Sequence, residues 1–366
     1  MNKPLVSVVM VICNVDRFLR ESIESILGQT FRDFEFIIVD FGSTDNSRTI
    51  ASSYAEKDRR VQVHEIPNCG LAEARNAGAF LAQGRYIAVM DADDISLPNR
   101  LQSEVDFMEK HSEVSILGGA TQWIDEAGNS LGIHRFSNHD HELNSPSTLA
   151  FPFCHPTVLI RKQAFMQVGG YRTGFTFGED YDLWLRLAEH FRGANLEQVV
   201  LKYRNHPYQV QSRKSRQQSL CLLAAQVSAG CRRDGKPDPF DSIKEITPSV
   251  LASLGVSEAM QQIAVTRDWI RAMYEACQYS SALEAALDAL QSPEWKSAER
   301  WQTADTRLLA ARVYWKQKRF ARGLLTAGHA FMTRPIMIGR PLKPLLRWFR
   351  FRKASTRAPQ PGRGVA

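Results

Sequence analysis

Short apolar runs alternate with helix-like segments in the amino-terminal quarter of the chain, and this alternation restricts the fold more than any other feature. The runs cover residues 6–12, 34–39, 61–66 and 86–90, and most are nearly continuous in apolar side chains, as in strands covered on both faces. The segments between them carry apolar residues at helical spacing. Strand–helix alternation of this kind predicts an α/β fold with a mostly parallel sheet flanked by helices.

Polar side chains stand where these predicted strands end. Asn14 follows the first run, Asp40 and Ser43 follow the second, and Asp91 follows the fourth. Ligands of open α/β sheets bind outside the carboxyl ends of the strands, so we expect these side chains to line one crevice. The first strand is not followed by Gly-x-Gly-x-x-Gly, and a dinucleotide-binding dehydrogenase is therefore disfavoured.

The fourth predicted strand ends in three carboxylates within four residues, Asp91, Asp93 and Asp94. Like charges at the end of a buried strand are costly unless a cation lies beside them. Hard divalent cations such as Mg²⁺ and Mn²⁺ prefer oxygen ligands, often one or two carboxylates together with phosphate oxygens. The cluster predicts a metal site. The alternative is a polar loop in which Asp94 or Ser96 caps the next helix.

An ordered set of motifs surrounds these residues. It comprises Pro4-Leu-Val-Ser-Val-Val-Met10, Gln29-Thr-Phe-Arg-Asp-Phe-Glu35, Ile38-Val-Asp40, Gly42-Ser-Thr-Asp-Asn-Ser47, Gly70-Leu-Ala-Glu-Ala-Arg-Asn-Ala-Gly78 and Asp91-Ala-Asp-Asp94. The set resembles that of family 2 glycosyltransferases, which are nucleotide-sugar enzymes. The resemblance spans roughly residues 4–210 and implies the GT-A fold, a Rossmann-like, mostly parallel sheet flanked by helices.

The resemblance implies a role for each strand-end residue. Asp40 is expected near the nucleotide base, Arg75 near the base or the diphosphate, and Asp91 on the ribose or metal side. Asp93 is expected to ligate the metal, Mn²⁺ or Mg²⁺. Asn14 and Ser43 complete the predicted nucleotide-sugar site. The alternatives are that Asp40 only caps its strand and that Arg75 lies on a solvated helix face.

The chain departs from the family pattern directly after Asp40. The family usually has a second acid there, often associated with the base, whereas this chain has Phe41. An aromatic ring can stack on a base, but it cannot accept a hydrogen bond from the base N–H. A UDP-sugar remains the favoured donor, although the chain lacks this one hydrogen-bond acceptor for the base.

A second group of motifs follows the acidic cluster. Gly178-Glu-Asp-Tyr-Asp-Leu-Trp-Leu-Arg-Leu187 resembles the Glu-Asp motif of the family, which makes Asp180 the expected catalytic base and Glu179 a supporting residue. The alternative is that both acids only complement the helix dipole. By the same resemblance, His155 is expected on the acceptor side. The alternative is that it is a packed structural histidine. His206 approaches the metal or the diphosphate, and Asp94 supports the site.

Domain organisation follows from pattern and charge. We predict a nucleotide-sugar domain over residues 1–211, a helical region over 212–335, and a basic, partly amphipathic tail over 336–366. Residues 1–305 carry a net charge of −8, whereas 15 Lys or Arg and no Asp or Glu follow from Thr306 onward. Residues 341–353 interleave Leu, Trp and Phe with five cations, which suits an anionic membrane surface. A solvated or partner-binding tail is the alternative, and nucleic acid is disfavoured.

These features together predict a metal-dependent inverting glycosyltransferase that uses a glycan or lipid-linked acceptor, in cell-surface polysaccharide synthesis. The six cysteines are scattered without a Cys-x-x-Cys pair, which fits a reducing compartment. We therefore predict a cytoplasmic protein that is peripheral at the inner face of the plasma membrane. The alternative functions are a catalytically silent nucleotide-sugar or glycan-binding protein and a metal-dependent nucleotidyltransferase.

Overall fold

A computed structural model describes residues 3–136, 152–206, 215–275, 278–296 and 300–333 of the protein. The chain divides into two compact units, Met1–Leu254 and Gly255–Ala366, and each unit has hydrophobic clusters of its own. The domain boundaries predicted at residues 211–212 and 335–336, and the tail beyond the second of them, lie outside the described residues. The three predicted domains therefore stay a prediction.

The described part of the first unit contains one mixed sheet. Its strands are β1 (Val6–Ile12), β2 (Phe34–Asp40), β3 (Val61–Glu65), β4 (Tyr86–Asp91), β5 (Ile95–Ser96), β6 (Val114–Ile124), β7 (Ser130–His134), β8 (Leu159–Arg161) and β9 (Arg192–Arg204). They lie in the order β3-β2-β1-β4-β8-β6-β9-β5, with β7 paired to β6. β1 to β4 are parallel, as the alternation predicts, whereas β5, β7 and β8 run antiparallel to their neighbours. The α/β fold class is confirmed.

Helices cover both faces of this sheet. They are α1 (Asp16–Leu27), α2 (Ser47–Ala55), α3 (Leu71–Leu81), α4 (Arg100–Lys110), α5 (Lys162–Gln167), α6 (Glu179–Ala188), α7 (Ser215–Arg233) and α8 (Pro248–Ser253). α1, α2 and α4 pack on one face, and α3, α5 and α6 pack on the other. α3 approaches the sheet closely at Gly78, where an added Cβ would lie 2.6 Å from Cγ1 of Val9. A larger side chain there would have to push the helix away from the strands.

The pairing register decides which face each strand-end carboxylate occupies. Asp40 aligns with Ile12, whereas Asp91 aligns with Val11. Successive side chains of a strand point to opposite faces of the sheet. Asp40 therefore leaves the sheet on the face covered by α1 and α2, and Asp91 leaves it on the face covered by α3. The two carboxylates share an edge of the sheet but not a face.

The second unit is helical in its described part, which confirms the predicted C-terminal α-helical extension. Its helices are α9 (Glu258–Glu275), α10 (Tyr279–Gln291), α11 (Arg300–Lys316) and α12 (Phe320–Thr333). α9, α10 and α11 share one cluster that includes Ile263, Leu283 and Val313, and small residues join α11 to α12. No helix among the described residues combines the length and the apolar character that crossing a membrane requires.

Candidate active site

The end of β1 and the loop after β2 are joined through the Asn14 side chain. Asn14 has a φ of 53°, in the left-handed region that asparagine tolerates better than most residues, so the chain turns at once on leaving β1. Its Oδ1 accepts hydrogen bonds from the backbone N–H groups of Thr44 at 2.8 Å and Asp45 at 3.2 Å. Its own N–H donates to Ser43 Oγ at 3.3 Å. The predicted residues Asn14 and Ser43 therefore lie side by side.

Asp40 is fully buried, and both of its carboxylate oxygens are engaged. Oδ1 accepts hydrogen bonds from the N–H groups of Gly42 at 3.2 Å and Ser43 at 2.9 Å, and Oδ2 accepts one from Nε of Arg48 at 3.0 Å. Burial alone would raise the pKa of Asp40, but the hydrogen bonds from Ser43 and Arg48 hold it below its ordinary value. Asp40 shapes the turn after β2, and the half-exposed Arg48 is the side chain that meets solvent here.

Asp91 lies on the opposite face, between two cationic or potentially cationic groups. Its Oδ1 is 3.3 Å from Nη2 of Arg75 and 3.5 Å from Nδ1 of His155. Burial would raise the pKa of Asp91, but His155 and then Arg75 lower it to about 2. The other ring nitrogen of His155, Nε2, lies 3.0 Å from the hydroxyl of Tyr171. His155 is thus packed against Tyr171 and also directed at Asp91. A structural role and a position on the acceptor side are therefore compatible.

Arg75 joins the two acidic motifs of the sequence. Nη1 of its guanidinium contacts the carboxylate of Glu179, at the start of α6, while Nη2 contacts Asp91 at the end of β4. Burial would lower the pKa of Arg75, but Glu179 and Asp91 raise it, so the side chain stays charged. Gly178 precedes the helix with a φ of 70°, a conformation that suits glycine and turns α6 toward this bridge. Arg75 is not a solvated helix residue, since it is only 13% exposed.

Asp93 pairs with His206, which follows the end of β9. Oδ2 of Asp93 and Nε2 of His206 are 2.9 Å apart, and Asp93 keeps part of its surface exposed. A carboxylate oxygen beside an imidazole nitrogen suits Mn²⁺ or Mg²⁺ when phosphate oxygens and water supply the other ligands. No cluster of three or more His, Cys, Asp or Glu with metal-ligand geometry occurs in the ranges that the structure describes. Asp93 and His206 fit the expected cation as a two-residue site.

Asp94 is turned inward and supports the loop. Its Oδ1 accepts a hydrogen bond from the N–H of Arg204 at 2.8 Å, and its carbonyl accepts one from Ser22 Oγ at 2.6 Å. Burial, then the charges of Asp93 and Asp91, raise the pKa of Asp94 well above its ordinary value. Nε of Arg204 also donates to the carbonyl of Asp93 at 2.9 Å. The buried Arg204 is therefore one cation that the acidic cluster requires.

Asp180 follows Glu179 and is half-buried at the amino end of α6. Its charge, together with that of Asp91, raises the pKa of Arg75. Burial, and then Asp94, Asp91 and Asp180 together, raise the pKa of the Cys154 thiol well above its ordinary value. The Cys154 thiol is thus influenced by carboxylates of both acidic motifs, Asp91 to Asp94 and Glu179 to Asp180. The two motifs therefore border a common space.

An ion-pair network holds α6 from its other side. Asp182, fully buried, accepts hydrogen bonds from Nε of Arg172 at 3.0 Å and from Nε of Arg186 at 2.9 Å. Arg186 also donates to the carbonyl of Gly170 at 2.7 Å. Nη1 of Arg172 reaches Asp238, beyond α7, at 2.8 Å. The loop of residues 170–172 and the segment after α7 therefore fix the position of the helix that begins with Glu179 and Asp180.

The structure brings most of the predicted site residues together, in two groups. The first group lies around the Arg75 bridge and comprises Arg75, Asp91, His155, Glu179 and Asp180, with Asp93, Asp94 and His206 beside it. The second group is Asn14, Asp40 and Ser43, which shape the neighbouring loops on the side of α2. Arg204, Cys154 and Tyr171 also border the site and were not predicted. No local signal distinguishes Arg204, since Lys202 stands two residues before it in the same run.

Comparison with known proteins places this geometry in a family context. A family profile described as Glycosyl transferase family 2 matches residues 7–169. EpsE of Bacillus subtilis (strain 168), which carries a glycosyltransferase name, is 39% identical over 208 residues, covering 55% of this chain and 73% of EpsE. The O-antigen biosynthesis glycosyltransferase WbnJ of Escherichia coli is 33% identical over 206 residues, covering 55% of this chain and 80% of WbnJ.

Two further matches extend the comparison. The amylovoran biosynthesis glycosyltransferase AmsE of Erwinia amylovora is 32% identical over 188 residues, covering 51% of this chain and 70% of AmsE. Among solved structures, the mannosyltransferase PcManGT of Pyrobaculum calidifontis, in complex with GDP-Man and Mn²⁺, is 18% identical with a TM-score of 0.49, covering 87% of this chain and 89% of PcManGT. That structural likeness is too low to carry a conclusion about donor or metal.

Proposed function

Because this chain belongs to glycosyltransferase family 2, we propose that it transfers a sugar from a nucleotide-sugar donor to an acceptor hydroxyl, with inversion at the anomeric carbon. The observation that carries this proposal is the Arg75 bridge. One guanidinium contacts Asp91 at the end of β4 and Glu179 at the start of α6, and Asp180 is the next residue. Two acidic motifs far apart in sequence thereby border one space, as a two-substrate reaction requires.

The donor is proposed to lie along the edge formed by β1, β2 and β4. Asn14 and Ser43 shape the loops against which the nucleoside packs, and Arg75 and Asp91 face its ribose and diphosphate. The oxygens of Asp40 are already bonded to Gly42, Ser43 and Arg48, so Asp40 acts on the base through the turn that it stabilises. A UDP-sugar is the favoured donor. Because Phe41 stands where the family usually has a second acid, the identity of the base is the first property to determine.

Asp93 and His206 are proposed to hold Mn²⁺ or Mg²⁺, with Asp91 on the side of the ribose. Asp91 is a weaker ligand candidate than Asp93, since Arg75 and His155 already approach its Oδ1. A bound divalent cation supplies positive charge that offsets the charge of the departing nucleoside diphosphate. Asp94 and Arg204 keep the loop that carries Asp93 in place.

Asp180 is proposed to act as the general base. Its carboxylate accepts the proton of the acceptor hydroxyl while that oxygen forms a bond to the anomeric carbon. The bond between this carbon and the diphosphate oxygen breaks on the opposite face, and its electron pair leaves with the nucleoside diphosphate. Glu179, held by Arg75, fixes the start of α6, and His155 with Tyr171 borders the acceptor side.

The acceptor is proposed to be a glycan or a lipid-linked glycan in cell-surface polysaccharide synthesis. The names of WbnJ and AmsE, which refer to O-antigen and amylovoran biosynthesis, support this class of product. A lipid-linked acceptor would place the enzyme in the cytoplasm, peripheral at the inner face of the plasma membrane, with the basic tail of residues 336–366 on anionic lipid. Co-sedimentation of intact and tail-deleted protein with anionic liposomes tests the tail, and equal sedimentation removes its role.

A thermal-shift screen tests the donor site first. UDP-, GDP-, dTDP- and CMP-sugars are each added with manganese or with a chelator. A ligand at about one hundred times its Kd stabilises the native state by about 2.7 kcal/mol, which raises the melting temperature by roughly 5–10 °C. We expect one nucleotide to give a manganese-dependent shift. No shift with any donor would favour a catalytically silent protein that has lost the donor site, or a donor site that forms only with the acceptor present.

A further inference from the structure

The last described helix, α12, packs mainly through small side chains and Phe331, whereas most of its large apolar side chains face outward. Gly323, Ala327 and Ala330 are buried, and the two alanines meet the small and apolar residues of α11. In contrast, four large apolar side chains are exposed: Phe320 (45%), Leu324 (57%), Leu325 (64%) and Met332 (74%). This is the reverse of an ordinary amphipathic surface helix, whose large apolar residues face the core.

The four exposed side chains form one continuous face. At about 100° per residue they fall within an arc of roughly 140°, which also contains Ala321, Gly328 and the partly buried Phe331. Arg322 and His329, both exposed, border one edge of the arc, and the buried Ala327 borders the other. We call this surface, formed by Phe320, Leu324, Leu325 and Met332, the outer face of α12. A contiguous apolar surface bordered by polar side chains marks an interaction site.

The charge around the outer face restricts what can cover it. From Thr306 to the end of the chain there are 15 Lys or Arg and no Asp or Glu, and Lys318, Arg319 and Arg322 lie at the start of α12. A helix that combines an apolar arc with cations and lacks acids has the composition of an interfacial membrane helix. Each such cation near an anionic bilayer adds attraction. A nucleic acid would engage the cations but would leave Leu324 and Met332 in water.

We propose that the outer face of α12 docks on an anionic lipid surface, with the helix in the plane of the headgroups and its exposed Leu and Met side chains inserted. The chain continues with the same composition in residues 341–353, where Leu, Trp and Phe alternate with five cations. The surface is formed by residues of the second unit and uses none of the candidate active-site residues, so the inference does not depend on the proposed reaction. It assigns membrane docking to a folded element as well as to the tail.

The test is flotation of the full chain with vesicles of phosphatidylcholine alone or mixed with phosphatidylglycerol. The double variant Leu324→Gln/Leu325→Gln removes the centre of the outer face. Because both side chains are already exposed, it should fold normally. Partition onto the mixed vesicles is expected to fall about tenfold or more, since apolar burial in the headgroup region is lost. Met332→Gln alone should give a smaller decrease in the same direction.

A matched control lies in the first unit. Leu131 and Ile133 on β7 are 56% and 51% exposed, so Leu131→Gln/Ile133→Gln removes as much exposed apolar surface elsewhere. The control should leave vesicle partition unchanged. Equal partition of both double variants and the wild type would overturn the proposal. A lower molar mass of lipid-free Leu324→Gln/Leu325→Gln than of the lipid-free wild type would also overturn it. That result would mean that the outer face of α12 binds a second copy of the chain. Donor-dependent thermal shifts report the active site independently of either outcome.

Discussion

At the scale of single residues, two neighbouring acids have different surroundings. Glu179 is buried and paired with Arg75, whereas Asp180 is half-buried and is not the acid that pairs with Arg75. Burial, aided by Asp180, raises the pKa of Glu179 although Arg75 opposes the shift. A carboxylate held in an ion pair is less free to take a proton from a substrate, so we assign the proposed base to Asp180 and not to Glu179.

Asp180→Asn should lower the rate of sugar transfer by about 10²- to 10⁴-fold, the range of a lost general base. The donor-dependent thermal shift should stay as in the wild type, because the amide keeps the size of the side chain. Steady-state transfer assays provide the measurement. Asp106→Asn, an exposed acid on α4, is the matched control. Wild-type turnover in Asp180→Asn would contradict the assigned role.

The pairing of Asp93 with His206 leads to a second prediction at this scale. His206→Ala should weaken manganese binding by at least about tenfold, because one of two protein ligands is removed. The manganese-dependent part of the donor thermal shift should shrink accordingly, while the shift with chelator stays the same. His111→Ala, an exposed histidine at the end of α4, should leave both unchanged. An undiminished manganese effect in His206→Ala would exclude His206 as a ligand.

At the scale of elements, the position of α6 depends on residues beyond it in sequence. Asp238 is 3% exposed and receives Arg172, Arg232 and Ser228. Burial would raise the pKa of Asp238, but Ser228 and the two arginines lower it to about 2. The carboxylate is therefore ionised in the folded protein near neutral pH. It pairs with Arg172, and Arg172 in turn pairs with Asp182 on α6.

Asp238→Asn should lower the free energy of unfolding by about 2–3 kcal/mol at neutral pH. The pKa is lower in the folded state than the ordinary value of about 3.9, so this stabilisation is present above pH ~4 and is lost between about pH 4 and 2. The difference from the wild type should shrink over that interval in urea titrations. Asp241→Asn, which removes a 75% exposed partner of Arg172, should change stability by less than about 0.5 kcal/mol.

The elements differ in how well the sequence predicts them. β1, β2, β4 and α3 are visible as local patterns, because each buries a continuous or helically spaced apolar surface. β9 is not visible: Arg192–Arg204 mixes charged and apolar residues and owes its conformation to pairing with β6 and β5. The short strand β5 is not visible either, because residues 95 and 96 owe their conformation to pairing with β9.

The site residues also divide into those that stand in local motifs and those that depend on pairing between distant strands. Asp91, Asp93, Glu179 and Asp180 stand in ordered motifs, and the sequence predicts them. Arg204 contacts residues about 110 positions earlier in the chain, and no local pattern carries such a pairing. The separation of Asp40 from Asp91 by sheet face depends on a one-residue offset in register, which is a property of the folded sheet.

At the scale of the whole molecule, the first unit extends well past the predicted nucleotide-sugar domain. α7 and the segment after it supply Ser228, Arg232 and Asp238 to the network around α6, and Phe240 packs 6.2 Å from Phe175 between ring centroids. These contacts belong to the unit that ends at Leu254. A functional fragment should therefore include them.

A chain of residues 1–254 should fold and give the same donor-dependent thermal shift as the full chain. A chain of residues 1–211 should melt roughly 10 °C lower, because loss of buried ion-pair partners costs about 3–5 kcal/mol and each kcal/mol lowers the Tm by about 2–4 °C in a domain of this size. Differential scanning calorimetry of both fragments checks this. Equal melting temperatures would instead support the predicted boundary at residue 211.

The register of β1, β2 and β4 also restricts how related chains can differ in length. Inserting one residue in β4 before Asp91 would turn Asp91 from the side of Arg75 to the side of Arg48, and inserting one residue in β2 before Asp40 would turn Asp40 the other way. Inserting two would restore the faces but shift the carboxylates by about 7 Å along the strand, beyond hydrogen-bond reach. Insertions and deletions that preserve activity should therefore accumulate in the loops, while the strand lengths stay fixed over evolutionary time.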